Sequence, residues 1–289
     1  MKTLPNNPSI EYLHRAARTL RSKHRAGDPS VVELISHFDT SFQNLQTEQV
    51  LLQPFSILDA QRVTARQYGF ASWRRLKLFI QKSTQPSADY DPALAEQLTR
   101  RNAMRIALMR RYTSKKAGWF DHLDNFNDES VEMLEASYDK YGWLSPQIVG
   151  REGMEACYWL GINCLKNSQF QYQSAELMRE ALPLGECYGM YYAVSIDRWL
   201  SLSYKPSIFG AFNDFNERND RNDRVEYSDN VVDPKNLNKR RAQVGLMNLN
   251  QANKEWADMI RQRKAYQYTK DEWQALKRKW ALEGGYIAA

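Results

Sequence analysis

The sequence contains few cysteines and histidines, and this scarcity limits the kinds of site that it can build. Its three cysteines, Cys157, Cys164 and Cys187, are too few and too irregularly spaced for a disulfide framework. Their apolar neighbours predict buried thiols in a reducing compartment, which favours a cytoplasmic location. The four histidines are scattered along the chain, so we expect no metal site and no bound cofactor.

Long hydrophobic runs are also absent. No run approaches the ~20 apolar residues of a membrane-spanning helix, and residues 1–9 lack the apolar core of a signal peptide. We therefore expect no membrane partner. The chain also lacks a glycine-rich phosphate loop, a Gly-x-Ser-x-Gly elbow and a His-Glu-x-x-His pair. Sequence motifs therefore identify no catalytic residue, and any such residue is unknown.

The net charge of +6 is unevenly distributed. Residues 1–85 contain 12 Lys or Arg and 6 Asp or Glu, residues 86–234 contain 16 and 23, and residues 235–289 contain 12 and 5. Two interpretations of the basic ends are open: they pack against the acidic middle, or they form a surface for nucleic acid. We favour the first and expect no strong binding to nucleic acid, because the whole-chain charge is modest.

Helical periodicity predicts that residues 1–82 form a separate bundle of about four helices. Ser56 with Asp59 predicts a capping box, and Ser72 predicts the cap of the following helix. Residues 5–81 resemble the helical segment that precedes ankyrin repeats in many bacterial proteins, which implies a cytoplasmic accessory module. The resemblance rests on Asn7-Pro8-Ser9-Ile10-Glu11-Tyr12-Leu13, His24-Arg25-Ala26-Gly27-Asp28, Asp59-Ala60-Gln61 and Arg66-Gln67-Tyr68-Gly69-Phe70-Ala71-Ser72-Trp73.

The last two helices of this module also allow a DNA-binding hypothesis. Residues 57–81 could form a helix-turn-helix in which Arg74, Arg75 and Lys77 begin a recognition helix. The alternative is a helical hairpin whose basic residues form a solvated face. We favour the hairpin, because the turn is one or two residues long for the motif and the basic residues are few.

A polar segment with two prolines, residues 83–92, predicts a linker. Residues 93–255 then predict a second, all-helical domain, so the chain as a whole is expected to be mostly α. Its long polar loop is predicted at residues 213–230. A basic helical extension follows over residues 256–289.

The first helix of the second domain is basic, and its apolar residues predict a core-facing side. We expect that side to contain Leu94, Leu98, Ile106, Ala107 and Met109.

The second domain resembles an uncharacterised bacterial domain family of unknown function over roughly residues 100–255. The residues that carry the resemblance are Gly142-Trp143, Val149-Gly150-Arg151-Glu152-Gly153, Asp197-Arg198 and Arg240-Arg241-Ala242-Gln243-Val244-Gly245-Leu246. The family usually has a His where this chain has Asn163, and a Tyr-Gly-Thr-Gln motif where it has Phe209-Gly210-Ala211-Phe212. Because His and Gln suit proton transfer and oriented hydrogen bonding, their replacement puts the family's polar chemistry in doubt here.

Two function hypotheses follow. The first is a cytoplasmic bacterial binding or scaffold protein with an aromatic-rich pocket for a small molecule or peptide. The alternative is an enzyme of unknown reaction acting on an anionic or amide-containing small substrate. It would use Asp197, Arg198, Arg240 and Arg241, with Glu152 or Glu155 as a further candidate. Both place the ligand-binding residues in the second domain, at Asp197, Arg198, Arg240, Arg241, Trp143, Trp159, Asn163, Tyr192 and Phe209.

The C-terminal extension carries a tryptophan stripe. Trp273, Leu276 and Trp280 recur at helical spacing on a basic helix. Such a stripe favours a packing face, so we expect this helix to dock onto the N-terminal module or onto a second copy of the chain in a homodimer.

Overall fold

The computed structural model describes residues 2–5, 7–111, 119–212, 230–262 and 270–288. Within these residues the chain forms thirteen α-helices and no β-strand, which confirms the predicted mostly α class. The predicted polar loop falls almost entirely on residues 213–229, which lie outside the described residues. The helices are α1 (Ile10–Arg25), α2 (Val32–Phe38), α3 (Thr47–Leu52), α4 (Ile57–Gln67), α5 (Trp73–Thr84), α6 (Pro92–Arg111), α7 (Trp119–Tyr141), α8 (Pro146–Gly161), α9 (Ser168–Ala181), α10 (Gly189–Leu202), α11 (Leu237–Gln243), α12 (Leu249–Gln262) and α13 (Lys270–Glu283).

The predicted helix caps form in the N-terminal module. At the start of α4, the Ser56 side chain accepts from the Asp59 backbone N–H, and the Asp59 carboxylate accepts from the Ser56 backbone N–H. At the start of α5, the Ser72 hydroxyl accepts from the Arg75 N–H. Each cap pairs N–H groups that would otherwise lack a partner in the first turn of a helix.

The N-terminal module and the second domain contribute to one continuous hydrophobic core. Leu13, Phe70 and Phe79 belong to the same buried cluster as Met154 and Phe170. A second cluster, built mainly from α1, α2 and α4, also includes Met247 of the second domain. The division into two domains between residues 82 and 83 therefore stays a prediction. Residues from both sides of this boundary share one hydrophobic core.

The segment between α5 and α6 contains most of the predicted linker and is tied to the start of α8. The Ser87 N–H donates to the Gln147 carbonyl over 3.2 Å, and the Asp91 N–H donates to the Ile148 carbonyl over 2.8 Å. Asp91 also accepts a hydrogen bond from the Tyr141 hydroxyl. These bonds place α6 alongside α8, the helix pair at the centre of the second domain.

The hairpin of α4 and α5 packs against the second domain. Leu76, Phe79 and Ile80 of α5 are buried, and the Arg75 guanidinium donates to the backbone carbonyl of Gln243. Arg74 and Lys77 are exposed. The proposed recognition helix thus uses one side for intramolecular packing, and the DNA-binding hypothesis stays a prediction.

The core-facing side of α6 differs from the expected one. Leu94 and Leu98 are buried as predicted, but Ile106, Ala107 and Met109 are exposed. The inward face instead continues through Arg101, which is half-buried, and Arg105, which is buried. The reason is the helical period, because positions 94, 98, 101 and 105 follow one another at spacings of four, three and four.

The Val149-Gly150-Arg151-Glu152-Gly153 motif forms a kink within α8. Gly150 has φ of 69° and ψ of 171°, a combination that is nearly restricted to glycine. A side chain added there would meet no atom within 4 Å, so backbone conformation rather than packing requires this glycine. At Gly153 an added Cβ would lie 2.8 Å from the Cβ of Val149, so the kink itself leaves no room for a side chain there, whereas Ala95 of α6 would be in ordinary contact at 3.5 Å.

The C-terminal helix α13 packs on the second domain of its own chain. Trp280 is buried with Leu165 and Leu202, and its indole N–H donates to Asp124 over 3.1 Å. Trp273 and Leu276 pack against the same cluster. The stripe therefore docks on the second domain, through Asp124 of α7, Leu165 and Leu202 of α10, rather than on the N-terminal module. The homodimer stays a prediction. No described helix is long and apolar enough to cross a membrane.

Candidate functional site

The structure separates the predicted ligand-binding residues into three groups. The first group surrounds the loop of residues 207–211, which follows α10. The second group lies at the C-terminal end of α8, and the remaining tryptophans lie elsewhere. The first group consists of Asp197, Tyr192, Phe209, Arg240 and Arg241. The second consists of Arg198 and Asn163, and the remaining tryptophans are Trp143 and Trp159.

Asp197 organises the first group. It is 1% exposed, and its carboxylate accepts from the backbone N–H groups of Ile208, Phe209 and Ala211 at 2.7–3.2 Å. Burial raises the pKa of Asp197, while these backbone hydrogen bonds oppose the rise. The carboxylate thus binds the 207–211 loop of its own chain.

The two arginines of α11 bind the same part of the chain through its carbonyl groups. Arg241 is 2% exposed and donates to the carbonyls of Phe209, Gly210 and Met247. Arg240 donates to the carbonyls of Ile208, Asp233 and Val232. Through these hydrogen bonds both arginines stabilise the conformation of the loop, and this structural role requires no ligand.

The aromatic residues of the prediction do not line a common pocket in the described part of the chain. The rings of Tyr192 and Phe209 meet edge to face at 5.6 Å within the first group. Trp143 is buried, and its indole donates to the Glu186 carbonyl. Trp159 is 45% exposed on α8. Most of the other buried aromatic rings stack on one another in the core, as Tyr158 does on Tyr191 with centroids 3.7 Å apart.

The second group caps the C-terminal end of α8, where helix carbonyls lack partners within the helix. Arg198 donates to the Ile162 carbonyl over 2.9 Å, and the Asn163 amide donates to the Trp159 carbonyl over 2.7 Å. The buried amide of Gln171 donates to the carbonyls of Gly161 and Cys164. A guanidinium is favourable here, because the end of a helix carries partial negative charge.

Arg198 lies between two segments in which the chain departs from the family motifs. Its guanidinium donates to the carbonyl of Ile162, the residue before Asn163, and lies 5.3 Å from the centroid of the Phe212 ring. Phe212 stands where the family resemblance predicts Gln, and Asn163 where it predicts His. Positions that are distant in the sequence therefore belong to one place in the fold.

Two further arginines that the sequence analysis missed approach the same region from α6. Arg101 donates to the Ser130 hydroxyl, the Phe126 carbonyl and the exposed carboxylate of Glu129. Arg105 is 6% exposed, and its hydrogen bonds go to the Asn102 amide oxygen and the Met109 sulfur. We call Arg101, Arg105 and Arg198 the arginine cluster.

Arg105 differs from Arg101, which contacts Glu129, because no described carboxylate pairs with Arg105. Burial lowers the pKa of Arg105, since a guanidinium loses solvation in the interior. The burial of these arginines could have been predicted from their spacing in the sequence. Steps of three and four residues continue the inward side of α6 from Leu98 through Arg101 to Arg105. A charged residue at the next core position of a helix is a departure from amphipathic order.

Cys164 is a buried thiol that interacts electrostatically with all three arginines. Its thiol donates to the Asn127 carbonyl. Burial raises the pKa of Cys164 and the carboxylate of Asp128 adds to the rise, whereas Arg101 and Arg198 act to lower it. The Asn127 side-chain oxygen and the Tyr286 hydroxyl are buried without a hydrogen-bond partner among the described residues. The surroundings of Cys164 therefore contain a carboxylate as well as cationic and neutral polar groups.

Lys166 lies nearby but is neutralised by carboxylates. Its ammonium lies 3.4 Å from Asp124, 3.6 Å from Glu283 and 4.0 Å from Asp128. Burial raises the pKa of Asp128, with Asp124 and Glu283 adding to the rise. This lysine is therefore not the charge that an anionic ligand would meet. The described residues contain no group of three His, Cys, Asp or Glu side chains suited to a metal ion.

Surface grooves occur elsewhere on the described part of the protein. One of 500 Å³ follows the α8 kink and includes Arg151 and Glu152. Another, of 480 Å³, includes Tyr172 and Trp199, whose ring centroids are 4.9 Å apart. None of the nine predicted ligand-binding residues lines either groove, whereas Glu152, a candidate of the enzyme hypothesis, lines the first.

Comparison with known proteins places the second domain in a family. Residues 102–261 match the model of a family of unknown function, DUF6624. The match covers more than half of the chain, so the chain belongs to this family, and the resemblance inferred over residues 100–255 is confirmed. It includes Arg105, Asn163 and Arg198 but not Arg101. No curated protein and no solved structure matches the chain.

Proposed function

We propose that this chain is a binding protein for a small anionic molecule, held by Arg105 of α6 together with the rest of the arginine cluster. The ligand class is a phosphate or a carboxylate, which a guanidinium binds with two parallel hydrogen bonds. The ligand is still a small molecule, but the residues proposed to bind its charge are now Arg105 and Arg198 instead of Arg240 and Arg241. We also propose a cytoplasmic location in a bacterium.

The observation that carries the proposal is the burial of Arg105 without a carboxylate partner among the described residues. An ionised side chain is costly to bury unless an opposite charge compensates it. Neither the Asn102 amide nor the Met109 sulfur is charged. An anionic ligand would supply the missing charge, and the free polar atoms of Asn127 and Tyr286 could then orient its uncharged groups.

The thiols of this region favour binding over nucleophilic chemistry. Burial raises the pKa of Cys157 to about 12 and also raises the pKa of Cys164, so both are protonated at neutral pH. The reactive form of cysteine is the thiolate. Cys157 hydrogen-bonds to the Tyr138 hydroxyl and Cys164 to backbone carbonyls, so none of their partners among the described residues is a general base. We therefore rank the enzyme hypothesis second.

Arg105→Met tests the proposal, with Arg100→Met as the matched control. Both arginines belong to α6, but Arg100 is exposed and lies off the inward face. Calorimetric titration and thermal unfolding would be measured with inorganic phosphate and with succinate. We expect one of these anions to bind the wild type and Arg100→Met, and to raise their melting temperatures as a ligand of the native state does. Arg105→Met should lose both effects.

The ligand-free proteins provide a second readout. Replacing an uncompensated buried charge by an apolar side chain of similar length is often neutral or stabilising, so Arg105→Met should melt at or above the wild-type temperature without anion. A loss of stability would show that Arg105 is already compensated within the chain. Failure of both anions to bind the wild type, or equal binding by Arg105→Met, would also reject the proposal.

A further inference from the structure

A third groove lies in the N-terminal module, outside the residues matched by the family model. Its volume is 590 Å³, and it runs beside α1 towards the start of α2 and the end of α4. From Tyr12 to Lys23, α1 extends roughly 16 Å at the rise of an α-helix. That length corresponds to about five residues of extended peptide.

The groove has an apolar floor and a polar, basic rim. Leu20 and Val31 are buried in the floor, and Leu34 is half-buried beside them. Tyr12 is 51% exposed at one end. The cations that line the groove are Lys2, Arg15 and Lys23.

No carboxylate lines this groove among the described residues. Lys23 is partly neutralised by Asp28, which lies 3.3 Å away outside the groove. Lys2 and Arg15 are exposed, and neither makes an ion pair with a described residue. The rim therefore has a net positive charge that its own surroundings do not cancel.

We infer that this groove binds an acidic peptide segment of a partner protein, with an apolar side chain of the peptide on the floor. The basic rim supplies electrostatic complementarity to Asp and Glu side chains, and the floor of Leu20, Val31 and Leu34 supplies apolar contact. A nucleic acid would make less use of that floor, because its affinity comes mainly from phosphate contacts. The inference concerns the N-terminal module and does not depend on the arginine cluster.

A fluorescein-labelled peptide of alternating glutamate and leucine is the probe, and its fluorescence anisotropy is measured with the full chain. Arg15→Glu reverses a charge in the groove, whereas Arg18→Glu reverses an exposed charge on α1 that does not line it. We expect Arg15→Glu to weaken binding by about tenfold or more, which corresponds to about 1.4 kcal/mol. Arg18→Glu should change it by less than about twofold.

The apolar contact needs its own control. Replacing the leucines of the probe by serine should weaken binding to the wild type, while a peptide of alternating lysine and leucine should not bind. Equal loss in Arg15→Glu and Arg18→Glu would show that general surface charge, not the groove, attracts the peptide. Tighter binding of a single-stranded thymidine oligonucleotide that competes with the peptide would also overturn the inference. Circular dichroism of both variants checks that they are folded.

Discussion

Asp197 and Arg241 hold the same loop through complementary backbone groups. The Asp197 carboxylate accepts from the N–H of Phe209, and the Arg241 guanidinium donates to the carbonyl of Phe209 over 2.7 Å. Both charged side chains are almost fully buried. The Asp-Arg and Arg-Arg motifs of the family thus meet at residue 209, where the carboxylate binds the N–H and the guanidinium binds the carbonyl of two successive peptide groups.

We predict that Asp197→Asn and Arg241→Met each lower the free energy of unfolding by roughly 3 kcal/mol. The reason is that a buried polar group left without a partner costs about 1–3 kcal/mol, and each substitution affects several such groups. Because both act on one loop, the double variant should lose less than the sum of the single losses. Urea denaturation of the three variants measures these values. Strict additivity would show that the two residues stabilise separate parts of the fold.

Gly245 is predicted to be required where the N-terminal module meets the second domain. It has φ of 81°, and a Cβ there would lie 2.7 Å from the backbone of Gly69 and Phe70. Gly27 has a similar φ of 72° but has open space around it, so it isolates the cost of the backbone conformation. Gly27→Ala should cost about 1–2 kcal/mol of stability. Gly245→Ala should cost clearly more in the same urea denaturation, and equal losses would mean that the close approach yields easily.

The capping box of α4 predicts a pH-dependent part of the stability. Burial alone would raise the pKa of Asp59, but hydrogen bonds from Ser56 and the guanidinium of Arg62 lower it below its ordinary value of 3.8. A carboxylate whose folded pKa is lowered stabilises the fold above its unfolded pKa and loses that contribution as the pH falls through the folded pKa. The stability difference between wild type and Asp59→Asn should therefore be largest near neutral pH and shrink below about pH 4.

Urea denaturation at a series of pH values measures this difference. Glu48→Gln serves as a control, because Glu48 is exposed in the first turn of α3 and makes no ion pair with a described residue. We expect its effect on stability to be smaller and to depend less on pH. An Asp59→Asn difference that stays constant down to about pH 2 would contradict the prediction.

Features that depend on neighbouring residues were predictable from the sequence. The Ser56–Asp59 capping box, the Ser72 cap and the burial of Cys157, Cys164 and Cys187 were expected and are present. The family motifs were recognisable as well. Capping involves side chains and backbone groups within one helical turn, so the order of the residues is enough to specify it.

The candidate site was only partly predictable. The resemblance pointed to Arg198 and Asn163, and the structure brings Phe212 beside them. It also pointed to Arg240 and Arg241, whose hydrogen bonds go to backbone carbonyls of the chain itself. The sequence could not show this difference, because a guanidinium that binds a carbonyl and one that binds a ligand have the same one-dimensional context.

The sequence by itself determined the helical class, the helix caps and the family, because periodicity and local hydrogen bonding set them. Only the tertiary structure decided which charges are compensated. Asp197, Arg240 and Arg241 find their partners in loops, whereas Arg105 is buried between helices without a described carboxylate. The physical reason is that the cost of a buried charge depends on the groups that surround it in space, and those groups come from segments far apart in the chain.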